Sequence, residues 1–112
     1  MSNRMSELSP EWIERRLSGT DRVLPALYEE WWRLRLAFTD LTTITADPWC
    51  IDEMRENAKL GASGWQRFQD YGDTCVFAGI PIEASASEGR TLRWTAQRSG
   101  ETVQGELWWS VG

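Results

Sequence analysis

The stretch LPALYEEWWRLRLAFTDL, residues 24–41, decides the reading of the fold. Leu24, Leu27, Trp31, Leu34, Phe38 and Leu41 succeed one another at intervals of 3, 4, 3, 4 and 3. At 3.6 residues per turn, those intervals put all six side chains on one face of a helix. Tyr28, Trp32 and Leu36 add an adjoining stripe at interval four. The apolar sector is therefore wider than one packing partner in a small fold requires. Glu29 and Arg33 are spaced to pair on the outer face. Thr20 or Asp21 is the expected cap, and Pro25 leaves the exact start open, because it removes a donor in the first or second turn.

Upstream, Ser9 and Pro10 suit the N-cap and first position of a helix, with Leu8 and Ile13 as a hydrophobic staple. A short helix from Pro10 to Ser18, stopped by Gly19, is predicted. Downstream, Asp47 and Pro48 repeat the same start signal, with Ala46 and Ile51 as staple. Ile51, Met54 and Ala58 face inward on a third helix, and Lys59 sits near its negative end. Trp65 and Phe68 continue the spacing. Gly61 and Gly64 would each cost about 1 kcal/mol inside a helix, so a break is expected, with a further short helix from Ser63.

Gly72 and Asp73 mark a change of period. Thr74–Ile82 is rich in β-formers. Thr91–Gln97 alternates, with Leu92, Trp94 and Ala96 on one face. Thr102–Val111 alternates too, with Val103, Leu107, Trp109 and Val111 together. Arg98-Ser99-Gly100 reads as the hairpin loop between them, with Gly100 free to take positive φ. Ala84–Gly89 reads as a longer connection. The expected fold is one α+β domain spanning residues 1–112: three to four N-terminal helices in residues 1–72, packed on a C-terminal antiparallel sheet of about three strands in residues 73–112. Its predicted core is Leu24, Leu27, Trp31, Leu34, Phe38, Ile51, Met54, Phe68, Val76, Phe77, Leu92, Trp94, Leu107 and Trp109.

The chain has 112 residues, the length of one ordinary domain. Hydrophobic residues are 41% and charged residues 26%, which is the balance of a folded protein and not of a disordered tail. Seventeen acids against twelve bases give a net charge of −5, which argues against direct nucleic-acid binding. Residues 1–10 lack the apolar run of a signal peptide, and no segment reaches the length of a membrane span, so synthesis in the cytoplasm and no membrane partner are expected. The two cysteines, Cys50 and Cys75, lack metal-ligand spacing and read as buried free thiols, with a disulfide between them as the alternative in an extracellular context.

The chain has no histidine, which removes the commonest general base and the commonest metal ligand. A Ser–Lys pair would have to use Lys59, the single lysine. Asp52, Glu53 and Glu56 fit a solvated helix face better than an acid–base pair. Gly61-Ala62-Ser63-Gly64 follows a helix, and it has no lysine to meet a phosphate. A non-enzymatic protein with no cofactor and no metal is therefore expected.

Two features point toward protein contact. Eight tryptophans are more indole than one core of this size takes in, and eleven of the twelve bases are arginines. Both side chains are enriched at binding hot spots. In the last strand Trp108 points opposite to Trp109, and Trp31 and Trp32 diverge on their helix. Trp32, Arg33, Arg93 and Trp108 are accordingly the candidate contact residues. The expected function is a protein-interaction subunit of a larger assembly, such as a small structural component of a phage particle. Its partner would be another protein, copies of itself included. The alternative is a small acidic inhibitor, of immunity or anti-defence type, that occludes a partner's active or nucleic-acid-binding surface.

Overall fold

The computed structural model describes residues 11–17, 22–85 and 89–110. Seven strands form one mixed sheet in the order β1-β7-β6-β2-β5-β4-β3. The strands are β1 (Glu11–Leu17), β2 (Asp40–Ala46), β3 (Phe68–Asp70), β4 (Cys75–Phe77), β5 (Ile80–Ala84), β6 (Thr91–Arg98) and β7 (Glu101–Trp109). Helix α1 (Val23–Leu36) connects β1 to β2, and α2 (Pro48–Lys59) leaves β2 toward β3. A single 3-10 turn covers Trp65–Arg67. The expected architecture of three to four helices on a three-stranded antiparallel sheet is thus replaced by two α-helices, among the described residues, on a larger sheet with two parallel pairings, β1 with β7 and β2 with β5.

Four differences account for the change. The segment predicted as the first helix is a strand: Glu11–Leu17 lies along β7, from Glu11 opposite Val103 to Leu17 opposite Trp109. A helix of that length is marginal alone, and the unpaired edge of β7 offers it a full ladder of hydrogen bonds instead.

The second helix ends at Leu36, before the last two positions of the apolar run, Phe38 and Leu41. Leu41 and Ile44 belong to β2, where a bulge at Thr42 lets two residues three apart both face the core. That bulge imitates the helical interval. Phe38, predicted as core, is 90% exposed.

Thr74–Ile82 is not one strand, because Ala78 and Gly79, both at positive φ, fold it into the β4–β5 hairpin. Finally, β3 opens a short antiparallel ladder with β4 where a further short helix from Ser63 was expected, of which only the 3-10 turn Trp65–Arg67 forms.

Other expectations hold. Asp47 caps α2, its Oδ1 accepting from the Cys50 N–H at 3.0 Å, with Pro48 in the first helical position. The helix stops before Gly61, which takes φ +73°. Ser99 and Gly100, at φ +51° and +83°, make the two-residue β6–β7 turn. The expected caps of α1, Thr20 and Asp21, fall outside the described residues. The N-cap is Arg22, without a side-chain cap, and Asn57 of α2 takes on that role by accepting from the Leu24 N–H at 3.0 Å.

Both crossovers advance in the same direction across the sheet, so connections of one hand lay both helices on one face. There α1 and α2 close a single apolar cluster of Leu24, Leu27, Trp31, Leu34, Met54, Phe77, Leu92, Trp94, Leu107 and Trp109 with their neighbours. Ile51 and Val76, also predicted as core, are half-buried. Gly105 makes room for the largest member. A Cβ there would clash with Trp94 Cζ2, so the indole of β6 lies directly over the β7 backbone.

Candidate contact surface

The helix-covered side of the sheet ends in an aromatic and arginine-rich corner. It begins with Tyr28, Trp31 and Trp32 on α1. Trp31 is buried, stacked on Tyr28 at 5.9 Å, and edge-on to Trp32 at 5.2 Å and to Phe77 at 6.2 Å. Such pairs prefer offset or edge-to-face geometry and hold one another's orientation. Tyr28 in turn rests against Gly64, where a Cβ would come within 2.8 Å of Tyr28 Cβ. That contact brings the 3-10 turn, with Trp65 and Arg67, up to the helix.

Two guanidinium groups stack on Trp31. Arg35, one turn along α1, lies 5.1 Å from the ring centroid, and Arg67, from the 3-10 turn, lies 4.8 Å from it. Cation–π contact fixes both side chains at a modest gain in energy. The end of α1 sits beside them. Its last carbonyls are closed by a Schellman arrangement in which the Phe38 N–H donates to Arg35 O and the Thr39 N–H to Leu34 O, 3.0 and 2.9 Å. That motif requires a left-handed residue, usually glycine, and here it is Phe38 at φ +56°.

Around this corner the large apolar side chains are open to water: Phe38 at 90%, Leu36 at 76%, Trp65 at 49% and Trp32 at 41%. The indole excess foreseen in the sequence is therefore real, but uneven. Trp31, Trp94 and Trp109 are buried, Trp49 and Trp108 are half-buried, and Trp32 and Trp65 are exposed.

The four candidate contact residues do not converge. Trp32 and Arg33 are exposed on α1. Arg93 and Trp108 lie on the face of the sheet opposite the two helices, among Thr91, Thr95, Gln97 and Gln104. Arg93 is engaged there, its Nε donating to Glu106 Oε2 at 2.6 Å, and it screens a buried carboxylate from solvent. Trp32 joins the aromatic corner.

Comparison of the chain with family models, curated proteins and solved structures finds no match.

Phe38, Leu36, Trp65, Arg35 and Arg67 were not read from the sequence as contact residues. The Tyr28–Trp32–Leu36 stripe was the available signal for the exposed face. Phe38 was hidden because it fits the core spacing of the helix that precedes it.

The charged side chains of the corner are arginines, planar groups with several hydrogen-bond donors. The thiols lie elsewhere: burial, then Asp47, pushes the Cys50 thiol up, and burial raises that of Cys75. Asp52 and Glu56, considered as an acid–base pair, are exposed and bridge instead to Arg55 at 3.2 Å and Lys59 at 3.4 Å. Among the described residues no group of three His, Cys, Asp or Glu side chains is placed to hold a metal ion. Among them, too, no helix is long and apolar enough to cross a membrane.

Proposed function

We propose that the protein acts through contact with another protein, and that the corner formed by Trp32, Leu36, Phe38 and Trp65 is the surface it uses. One observation carries this reading. Phe38 is a bulky side chain held in a left-handed backbone conformation that disfavours it, yet 90% of it is open to water. A non-glycine residue there costs about 1–2 kcal/mol, and the isolated chain recovers almost none of it by burial. The strain is offset when a partner covers the ring. The neighbouring exposed Trp32 and Trp65, with Arg35 and Arg67, match the side chains that dominate binding hot spots.

This surface differs from the one the sequence suggested by centring on the turn after α1. Trp108 and Arg93 form a separate face. The test is affinity capture from the native host with the tagged full chain and with Phe38→Ser, Trp65→Ser and Trp108→Ser variants. The expected result is one stoichiometric partner, lost with the first two variants and retained with the third. Capture that survives both Phe38→Ser and Trp65→Ser, with the fold intact by circular dichroism, would overturn the reading. Light scattering on the purified chain separates a second copy of itself from a foreign partner.

A further inference from the structure

Inside the aromatic corner a pocket of about 340 Å³ opens between the end of α1, the start of β2 and the β4–β5 hairpin. Trp31, Leu41, Ala78 and Ile80 form its apolar wall, and Arg35, Arg67 and Asp40 supply its charge. Both arginines lie over the Trp31 ring. A cation–π contact of this kind uses none of the guanidinium N–H groups as a hydrogen-bond donor to an acceptor atom. Among the described residues no carboxylate lies within ion-pair distance of either arginine, and Asp40 lines the pocket without bridging to them. In a chain of net charge −5, this pocket therefore has a net positive rim, with a smaller apolar part formed by Leu41, Ala78 and Ile80.

We propose that this pocket receives a carboxylate borne next to an apolar group: the acidic side chain of a partner protein, with an adjoining aromatic or aliphatic residue against the half-buried Leu41, Ala78 and Ile80. The proposal rests on the contact reading above and names the chemistry of the partner's anchor. The volume is at the small end of ligand pockets, enough for one or two side chains. Two forked guanidiniums suit bidentate carboxylate recognition. Their positions are set in advance, Arg35 by the helix and Arg67 by its backbone, whose carbonyl accepts from the Ala78 N–H at 2.8 Å.

The experiment is a titration of the ¹⁵N-labelled full chain, following the Nε–H signals of Arg35 and Arg67, with three probes: the capped dipeptide acetyl-Asp-Phe-amide, phenylacetate and phenylacetamide. The expected result is saturable movement of both signals with the dipeptide, at a Kd of about 1 mM or tighter. Phenylacetate should bind more weakly and the uncharged amide not at all. Arg35→Gln and Arg67→Gln should each weaken the dipeptide by about tenfold or more, while Lys59→Gln leaves it unchanged. Equal binding of phenylacetamide would show an apolar pocket only and overturn the proposal. Phenylacetate binding tenfold tighter than the dipeptide would assign the pocket to a free small acid and overturn its assignment to a protein anchor. If no probe binds while Phe38→Ser still abolishes capture, the pocket assignment falls and the contact surface stands.

Discussion

Replacing Phe38 by glycine should stabilise the isolated protein. The backbone term favours the change, because a left-handed residue with a Cβ carries about 1–2 kcal/mol that glycine does not. Two terms oppose it. Glycine loses more conformational freedom on folding, about 0.5–1 kcal/mol. The tenth of the ring that is covered is a small fraction of the roughly 2–3 kcal/mol that full burial of a phenylalanine contributes. The balance is a gain of about 0.5 kcal/mol, or about 2–4 °C in Tm for a domain of this size. Urea denaturation followed by far-UV circular dichroism would read it as a higher midpoint at unchanged slope. A loss of 1 kcal/mol or more would mean that the ring is packed in the isolated chain. It would then be an ordinary structural side chain, and the argument that its strain marks a contact site would fail. The same variant should bind its partner less well, so stability and capture move in opposite directions.

Four further outcomes follow from the packing. Gly105→Ala places a methyl against the Trp94 ring and should cost about 1–3 kcal/mol, measured as a lower urea midpoint; a silent substitution would contradict the close approach of that indole. Asn57→Ala removes the borrowed cap of α1 and should cost about 1–2 kcal/mol, with the amide of Leu24 losing hydrogen-exchange protection first. Cys50 and Cys75, both buried with raised thiol pKa values, should resist a thiol reagent at pH 8 in the native state and react when unfolded; rapid native labelling of Cys50 would contradict its packing beneath Asp47. The Gly72 N–H, and then Arg55, hold the Asp70 carboxyl below its ordinary range, so its small stabilising effect is present above about pH 4 and is lost as the pH falls through the lower native value. Asp70→Asn should flatten the acid limb of a stability profile, and an unchanged limb would show that the carboxyl contributes nothing.

Signals carried within a few residues were legible in the sequence. Asp47-Pro48 announces α2 because both the capping carboxylate and the missing N–H act within one turn. Ser99-Gly100 announces its hairpin because the backbone conformation is set by those two residues. The alternation of β6 and β7 survives because one face of each is buried. The features that were misread depend on distant partners. Nothing local in Glu11–Leu17 tells that β7 presents a free edge to it, and its capping signal points toward a helix. In Asp40–Ala46 the β-branched run Thr42-Thr43-Ile44-Thr45 does signal a strand, but the bulge gives Leu41 and Ile44 a helical interval and conceals it. Phe38 read as core because it falls between Leu34 and Leu41 at helical intervals of four and three. Of the contact surface, the Tyr28–Trp32–Leu36 stripe was visible from spacing. Arg35 and Arg67 meet only through Trp31, which no linear pattern shows. Trp108 and Arg93 were rightly placed on the outer strand face, and it is the sheet itself that separates them from Trp32 and Arg33.

The most direct test places a photo-crosslinking phenylalanine derivative at position 38 in the full chain, expressed in its native host, with the same group at position 108 as comparison. Illumination should yield one discrete higher-mass adduct from position 38, competed away by excess unlabelled protein, and none from position 108. An adduct from position 108 alone, or none from position 38 at any expression level, would contradict the claim that the strained, exposed corner after α1 is where this protein meets its partner.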